Sequence, residues 1–293
     1  MVETNMNELK VGKEFVLNLA PNGMVPTKSL TPFVPITPDE IVRDITTCME
    51  VGGITYVHLH ARDEHGVPTG DSNVYAKYIE AIRNRFEDLM ICVSCSGRID
   101  PSFKGRSAVL DLKGDVKPDM ASLTLSSLNF AKTASVNTPE TIIQLADKML
   151  DNGIVPELEI FDVGMLNYAQ YLIKKGHLKP TFYFNIILGN IFSAQTKMSH
   201  VAAILSELPE DALWSMGGIG NAQVLAHMMA FSQGGGIRTG IEDNMWLDDA
   251  KKMLATNAAL VKRVHDLAAI TDSKMMDGLT FKKMIQSHEC LAQ

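Results

Sequence analysis

The sequence predicts an α/β chain folded as a (β/α)8 (TIM) barrel, a single domain over residues 1–293. Three observations carry that expectation. Eight short apolar runs alternate with segments of helical periodicity along the chain. The length of 293 residues suits one such barrel, which takes about 250 residues. No linker-like Pro/Gly/Ser stretch or low-complexity run divides the chain. An open doubly wound sheet is the competitor. It would usually show GxGxxG after the first strand, and Ala20-Pro-Asn-Gly23 is no such fingerprint.

The expected strands are Phe15 to Ala20, Thr55 to Ala61, Met90 to Ser96, Met120 to Leu125, Leu158 to Phe161, Thr181 to Leu188, Leu213 to Met216 and Gly236 to Ile241. Thr37-Pro-Asp-Glu40 is a capping box with proline at the first helical position, ahead of Ile41, Ile45 and Met49. Thr138-Pro-Glu opens a second helix, whose stripe is Ile142, Leu145, Ala146 and Met149. Helical periods also fit 74–86, 165–175, 197–208, 223–232 and 248–269. Gly234-Gly-Gly236 ends the helix before the last strand, where positive φ is needed.

Composition narrows the function. A formal charge of −7 with no dense basic run argues against nucleic acid as a partner. The polar start MVETNMNELK lacks the apolar core of a signal peptide, and no apolar run is long enough for a membrane span. Cys48, Cys92, Cys95 and Cys290 show no disulfide framework. Cys92 and Cys95 formally match CxxC, but inside an apolar run plain buried thiols are the better reading. The chain reads as a reduced, cytoplasmic protein.

His58 and His60 are the strongest chemical signal. Alternate residues of a strand face one way, so both imidazoles converge, with Tyr56 and Arg62 on the same face. Val57, Leu59 and Ala61 face the other way, toward covering helices. Barrel active sites gather at the C-terminal ends of the strands. Strand eight ends in Arg238, Glu242 and Asp243, one strand removed from strand two across strand one. His58, His60 and Glu242 would make a His₂Glu site suited to zinc. The alternative is that Glu242 only pairs with Arg238 and the histidines are buried polar groups.

Other strand ends are polar as well. Ser94, Cys95 and Ser96 end strand three, and Ser122 and Thr124 lie on strand four. Glu157 and Glu159 share one face of strand five, where a buried carboxylate needs a partner or a role. Glu159 lies nearer the rim, and a structural ion pair is its alternative. Gly217-Gly-Ile-Gly220 ends strand seven ahead of a helix, which makes Gly218 and Gly220 candidates for binding a phosphate-bearing cofactor.

Taken together, these residues resemble the β-keto acid cleavage enzyme family, of which the 3-keto-5-aminohexanoate cleavage enzymes are members. The likeness rests on His58-Leu-His-Ala-Arg-Asp63 with Gly66-Val-Pro-Thr-Gly-Asp71, Pro35-Ile-Thr-Pro38, Asn129-Phe130, Pro156-Glu-Leu-Glu-Ile-Phe-Asp162 and Arg238-Thr-Gly-Ile-Glu-Asp-Asn244. It covers almost the whole chain in the right order.

The resemblance implies a homo-oligomeric barrel, with a tetramer expected, carrying Zn2+ on His58, His60 and Glu242. The reaction it implies takes a β-keto acid and acetyl-CoA to acetoacetate and a new acyl-CoA, through an enolate and a retro-Claisen cleavage. Asp243 would be the base, paired with Arg238. Ser122 matches a family threonine that contacts substrate, and Glu159, or Glu157 one register away, a glutamate near the reacting centre. Cys95 stands in place of a substrate-binding serine, with Ser96 and Ser94 beside it. Val25 stands where an acid would meet a substrate amine, so an uncharged or apolar tail is expected over a cationic one. A metal-dependent acyl-CoA lyase or aldolase is the second reading. A barrel hydrolase fits poorly, because His177, His200 and His227 lie away from the strand ends.

Overall fold

A computed structural model describes residues 14–286. Cys290 and the polar stretch 1–10 lie outside the described residues. Parallel strands close a barrel whose eight members are β1 (Leu17–Leu19), β2 (Tyr56–Leu59), β3 (Met90–Val93), β4 (Met120–Thr124), β5 (Val155–Ile160), β6 (Tyr183–Leu188), β7 (Leu213–Gly218) and β8 (Gly236–Thr239). Each pairs with its sequence neighbours, and β8 closes onto β1 with Arg238 opposite Asn18. All eight expected strands are present, most of them shorter at their ends, while β5 begins earlier at Val155 and β7 runs on to Gly218.

The helices are α1 (Pro38–Glu50), α2 (Ser72–Arg83), α3 (Phe103–Ser107), α4 (Pro139–Asp151), α5 (Val163–Lys175), α6 (Met198–Ser206), α7 (Ala222–Ser232), α8 (Asn257–Ile270) and α9 (Gly278–Gln286). The Thr37 hydroxyl accepts from the Glu40 amide while the Glu40 carboxylate accepts from the Thr37 amide, which completes the expected capping box. Ile41, Ile45 and Cys48 of α1 are buried, as are Ile142, Leu145, Ala146 and Met149 of α4. Among the described residues no helix is long and apolar enough to cross a membrane.

The last long helix starts later than its periodicity suggests. Residues 248–256 form a loop, and Thr256 caps α8 by accepting from the Ala259 amide. The Asp248 carboxylate accepts from the Lys252 and Met253 amides, and Lys251 turns through φ 55°. A short aspartate side chain that binds nearby amides competes with the helix there. The loop therefore reaches over the barrel mouth, where Trp246 and Lys251 line the cavity.

Helix α9 carries no expectation from the sequence pattern. Phe281 and Ile285 close the opposite end of the barrel against Tyr56, Met90, Met120 and Tyr183. Val57, Leu59 and Ala61 pack outward into the core under the helices, while Tyr56, His58 and His60 face inward. Cys92 joins the inner cluster and Cys95 the outer one, so the two thiols lie on opposite sides of the wall. Burial pushes the Cys95 thiol up to about 12.

Asn257 fastens the C-terminal rim. Its Nδ2 donates to the Pro21 carbonyl at 2.9 Å and to the Asp44 carboxylate at 2.7 Å, and its Oδ1 accepts from the Ile241 amide at 2.8 Å. Burial pushes the Asp44 carboxyl up to about 7, and the Asn257 amide and Lys28 charge offset only part of this. In the unfolded chain the value is about 3.9. The folded protein thus keeps this proton longer, so stability from this source declines as pH rises from about 4 to about 7 and then levels off. Asp44→Asn is expected to flatten that decline. Between about pH 5 and about pH 8, the melting temperature of wild type should fall by about 5 °C relative to the variant. Parallel curves would refute the assignment.

Candidate active site

The site is assembled at the C-terminal ends of β1, β2, β5 and β8 around a cavity of about 330 Å³. His58, inside β2, donates from Nδ1 to Glu157 Oε2 at 2.6 Å. That carboxylate sets the imidazole so that Nε2 faces His60 Nε2, 3.3 Å away. A carboxylate behind a histidine is the usual way a metal-ligating ring is oriented. His60 lies one residue past the strand. Asn22 brackets its backbone, accepting from the His60 amide at 3.2 Å and donating to its carbonyl at 2.8 Å. Arg62 then ties down the loop after β1, donating to the carbonyls of Gly23 and Pro26.

Glu242 comes from the turn after β8. Its Oε1 lies 3.3 Å from His60 Nε2 and 3.0 Å from Arg238 Nη2, so it faces the imidazole and the guanidinium together. Its Oε2 is buried with no hydrogen-bond partner. Gly23 makes room for this side chain, since a Cβ there would stand 2.4 Å from Glu242 Cγ. Ligand atoms of His58, His60 and Glu242 all lie within 4.8 Å of one another.

The donor set fits a divalent metal. Two imidazole nitrogens face each other and one carboxylate oxygen has no partner, which leaves buried polar atoms that an ion would satisfy. Burial lowers the His60 imidazole, which keeps it neutral as a ligand must be. Burial alone would raise Glu242, but the facing His60 and Arg238 hold it well below the usual carboxylate range. Burial alone would lower His58, and the Glu157 carboxylate instead holds it up at about 9. His58, Cys92 and Glu157 form a second cluster that shares His58. Glu157 there also accepts from Asn18, Tyr56 and Asn185 and is fully buried. It is held from every side and belongs to the support of His58.

Asp243 lines the cavity and takes two bonds from Arg238, at 2.8 Å from Nε and 3.1 Å from Nη2. Burial raises this carboxyl, and the Arg238 charge counters part of the rise. Glu159 also lines the cavity, accepting from the Thr124 hydroxyl at 2.5 Å. Of the two glutamates on β5, Glu159 therefore faces the cavity and Glu157 lies beneath it.

Several expected positions do other work. Cys95 packs into the outer core, and its amide donates to the Ser122 hydroxyl at 3.2 Å, so neither side chain is in the cavity lining. The alternation of β3 carries on past Val93, with Cys92, Ser94 and Ser96 facing inward and Val93 and Cys95 facing the outer core, so the place implied for Cys95 by the resemblance is not one that its side chain takes. Ser94 and Ser96 line the cavity in its place. Gly220 reaches the cavity at φ +58°, but its amide donates to the Asp243 carbonyl at 2.8 Å. A Cβ on Gly218 would stand 2.6 Å from the Ala222 backbone, so that glycine lets α7 pack against β7. His177 pairs with Asp147, His200 accepts from the Gln195 amide and His227 binds the Arg238 carbonyl, all away from the cavity. Asn22, Gly23 and Arg98 matter here without any sequence signal of period or motif.

A (β/α)8 barrel with two imidazoles, a carboxylate with one unpartnered oxygen and an arginine-clamped aspartate at one rim has the layout of an enzyme active site. The chain belongs to the beta-keto acid cleavage enzyme family, whose model matches residues 14–286. It is 33% identical over 262 residues to a 3-keto-5-aminohexanoate cleavage enzyme of Fusobacterium nucleatum, covering 87% of this chain and 92% of that one. It is 34% identical over 257 residues to a 3-oxoadipate:acetyl-CoA acetyltransferase of Cupriavidus necator, covering 86% of this chain and 87% of the relative. The fold is also similar to apo ObcA, with a TM-score of 0.74 at 20% identity. That match covers 87% of this chain, which spans 65% of the ObcA chain. A ternary complex of ObcA with a C4-CoA adduct and oxalate superposes at a TM-score of 0.76 and 19% identity, over 87% of this chain and 67% of that one.

Proposed function

We propose that the protein is an acyltransferase that takes a β-keto acid and acetyl-CoA to acetoacetate and a new acyl-CoA. In this reading zinc is held by His58, His60 and Glu242. The observation that carries it is the convergence of those three side chains beside Asp243 at one cavity wall. The cleavage enzyme of Fusobacterium nucleatum and the acetyltransferase of Cupriavidus necator support the reaction class.

When bound, zinc supplies a Lewis acid that favours negative charge on the carboxylate and keto oxygens of the substrate. Asp243 takes a proton from the carbon between those two groups. Arg238 keeps the carboxylate aimed, while burial raises its affinity for the proton it must accept. The enolate carbon attacks the thioester carbonyl of acetyl-CoA, and the CoA thiolate leaves. That thiolate then attacks the former keto carbon, the adjacent C–C bond breaks, and the electron pair departs with acetoacetate. Asp243 returns its proton to that carbon. Burial and the nearby Glu157 raise Glu159, which lines the same cavity beside the reacting carbon in this reading.

Val25 lines the cavity where an acid would be needed to meet a substrate amine, which disfavours a cationic tail. A homo-oligomer is part of the same reading, supported by the exposed apolar side chains of Ile191, Phe192 and Met198.

The test is a panel of β-keto acids with and without acetyl-CoA, read by free thiol and acetoacetate, on protein whose metal content has been measured. Turnover that requires acetyl-CoA and accompanies bound zinc is expected. Fragment release without the thioester would instead favour the lyase.

A further inference from the structure

Arg98 stands two residues past Ser96, in the loop after β3, and lines the same cavity as His60, Glu159 and Asp243. Among the described residues no carboxylate lies within ion-pair distance of it. Its guanidinium lies over the Phe130 ring at 4.5 Å from the centroid, and its Nε donates to the Ser96 hydroxyl at 3.5 Å. The other cavity arginine is different, since Arg238 is matched by Glu242 and Asp243. Arg98 is therefore a positioned cation with no carboxylate in direct contact, with Glu242 and Glu159 acting on it only from farther off.

The wall behind it adds to the positive field. Arg106 is buried, with Nε donating to the Cys95 carbonyl and Nη1 without a partner. A Cβ at Gly97 would stand 3.1 Å from Arg106 Nη1, so the loop lies close over this second guanidinium. Arg106 has no carboxylate within ion-pair distance among the described residues either. A partly buried guanidinium is costly when unpaired, and its planar fork matches a carboxylate. Stacking on Phe130 holds that fork in place.

We propose that Arg98 binds the distal carboxylate of a dicarboxylic β-keto acid, which makes such acids the preferred substrates. This rests on the reaction read above and names its substrate class. The 1-carboxylate and keto oxygen belong at the His60 and Glu242 end, and the tail then runs along the wall toward Arg98. Val25 and Arg98 act together: one wall lacks the acid an ammonium tail would need, and the other offers a cation that repels it. An anionic tail departs from the uncharged or apolar tail expected from Val25 alone. The 3-oxoadipate enzyme of Cupriavidus necator, whose named substrate is itself dicarboxylic, is among the relatives. The phosphates of CoA are the other anions the reaction brings, and the exposed Lys251 at the mouth is the nearer match for a group on a long arm.

Wild type and Arg98→Gln are compared on 3-oxoadipate and on 3-oxohexanoate, an alkyl acid of equal length, with acetyl-CoA. Wild type should prefer 3-oxoadipate. The variant should lose about 100-fold in kcat/KM on it and change less than about threefold on the alkyl acid, with the KM for acetyl-CoA unmoved. Arg98→Lys should recover part of the loss. A wild-type preference for the alkyl acid would overturn the proposal, and so would equal loss on both acids with a raised KM for acetyl-CoA. Calorimetric binding of both acids separates this from failure of the reaction reading. Without turnover of either acid, tighter binding of 3-oxoadipate that Arg98→Gln removes still supports the subsite, and equal binding overturns it.

Discussion

Asp243→Asn is expected to lower kcat by about 10³-fold while the fold and the metal content persist. Asparagine has the shape of aspartate and can still accept one hydrogen bond from Arg238, but it cannot take a proton. The guanidinium also keeps its Glu242 contact at 3.0 Å, so the substitution does not leave a buried cation alone. Activity and stability therefore separate. The measurements are kcat, KM for both substrates, bound metal and melting temperature. A drop in kcat with KM, metal and melting temperature near wild type supports the base. Undiminished turnover would remove Asp243 from the reaction, whatever the other readings show.

Much of this site was legible because parallel strands write plainly. Strands buried on both faces appear as near-continuous apolar runs, so the eight members of the barrel and the facing of His58 and His60 followed from pattern alone. Depth followed only in part. Glu159 was expected nearer the rim than Glu157, but which of the two meets the cavity is seen only in the structure, where Glu159 lines it and Glu157 binds His58. Alternation carried past β3 puts Cys95 on the outer side with Val93, and it was the resemblance alone that implied a place for it in the cavity. A helical period over 248–256 concealed a loop because the Asp248 carboxylate binds amides that a helix would have used. Single residues in loops leave no period at all. Asn22 acts on His60 and Arg98 stacks on Phe130, partners that no periodicity links to them, and neither leaves a mark on the pattern.

Glu242→Ala is expected to release the metal and to reduce activity by about 10⁴-fold, as losing several kcal/mol of charge stabilisation implies. The reason lies in how tightly this one side chain is shared. Its Oε1 faces both His60 and Arg238, its Oε2 has no protein partner, and its stem fills space that Gly23 leaves open. Alanine would remove all of these at once, so a second variant is needed to tell ligation from support. Glu242→Gln keeps the stem and a hydrogen bond to Arg238 but presents a neutral oxygen to the ion. It should therefore fold as wild type, bind zinc more weakly and regain activity when zinc is added in excess. Glu242→Ala should not be rescued this way. Metal analysis after dialysis is the deciding measurement. Full retention of zinc by both variants would show that Glu242 serves Arg238 and not the ion, whereas wild type without zinc would leave the histidines as buried polar groups without a shared ion.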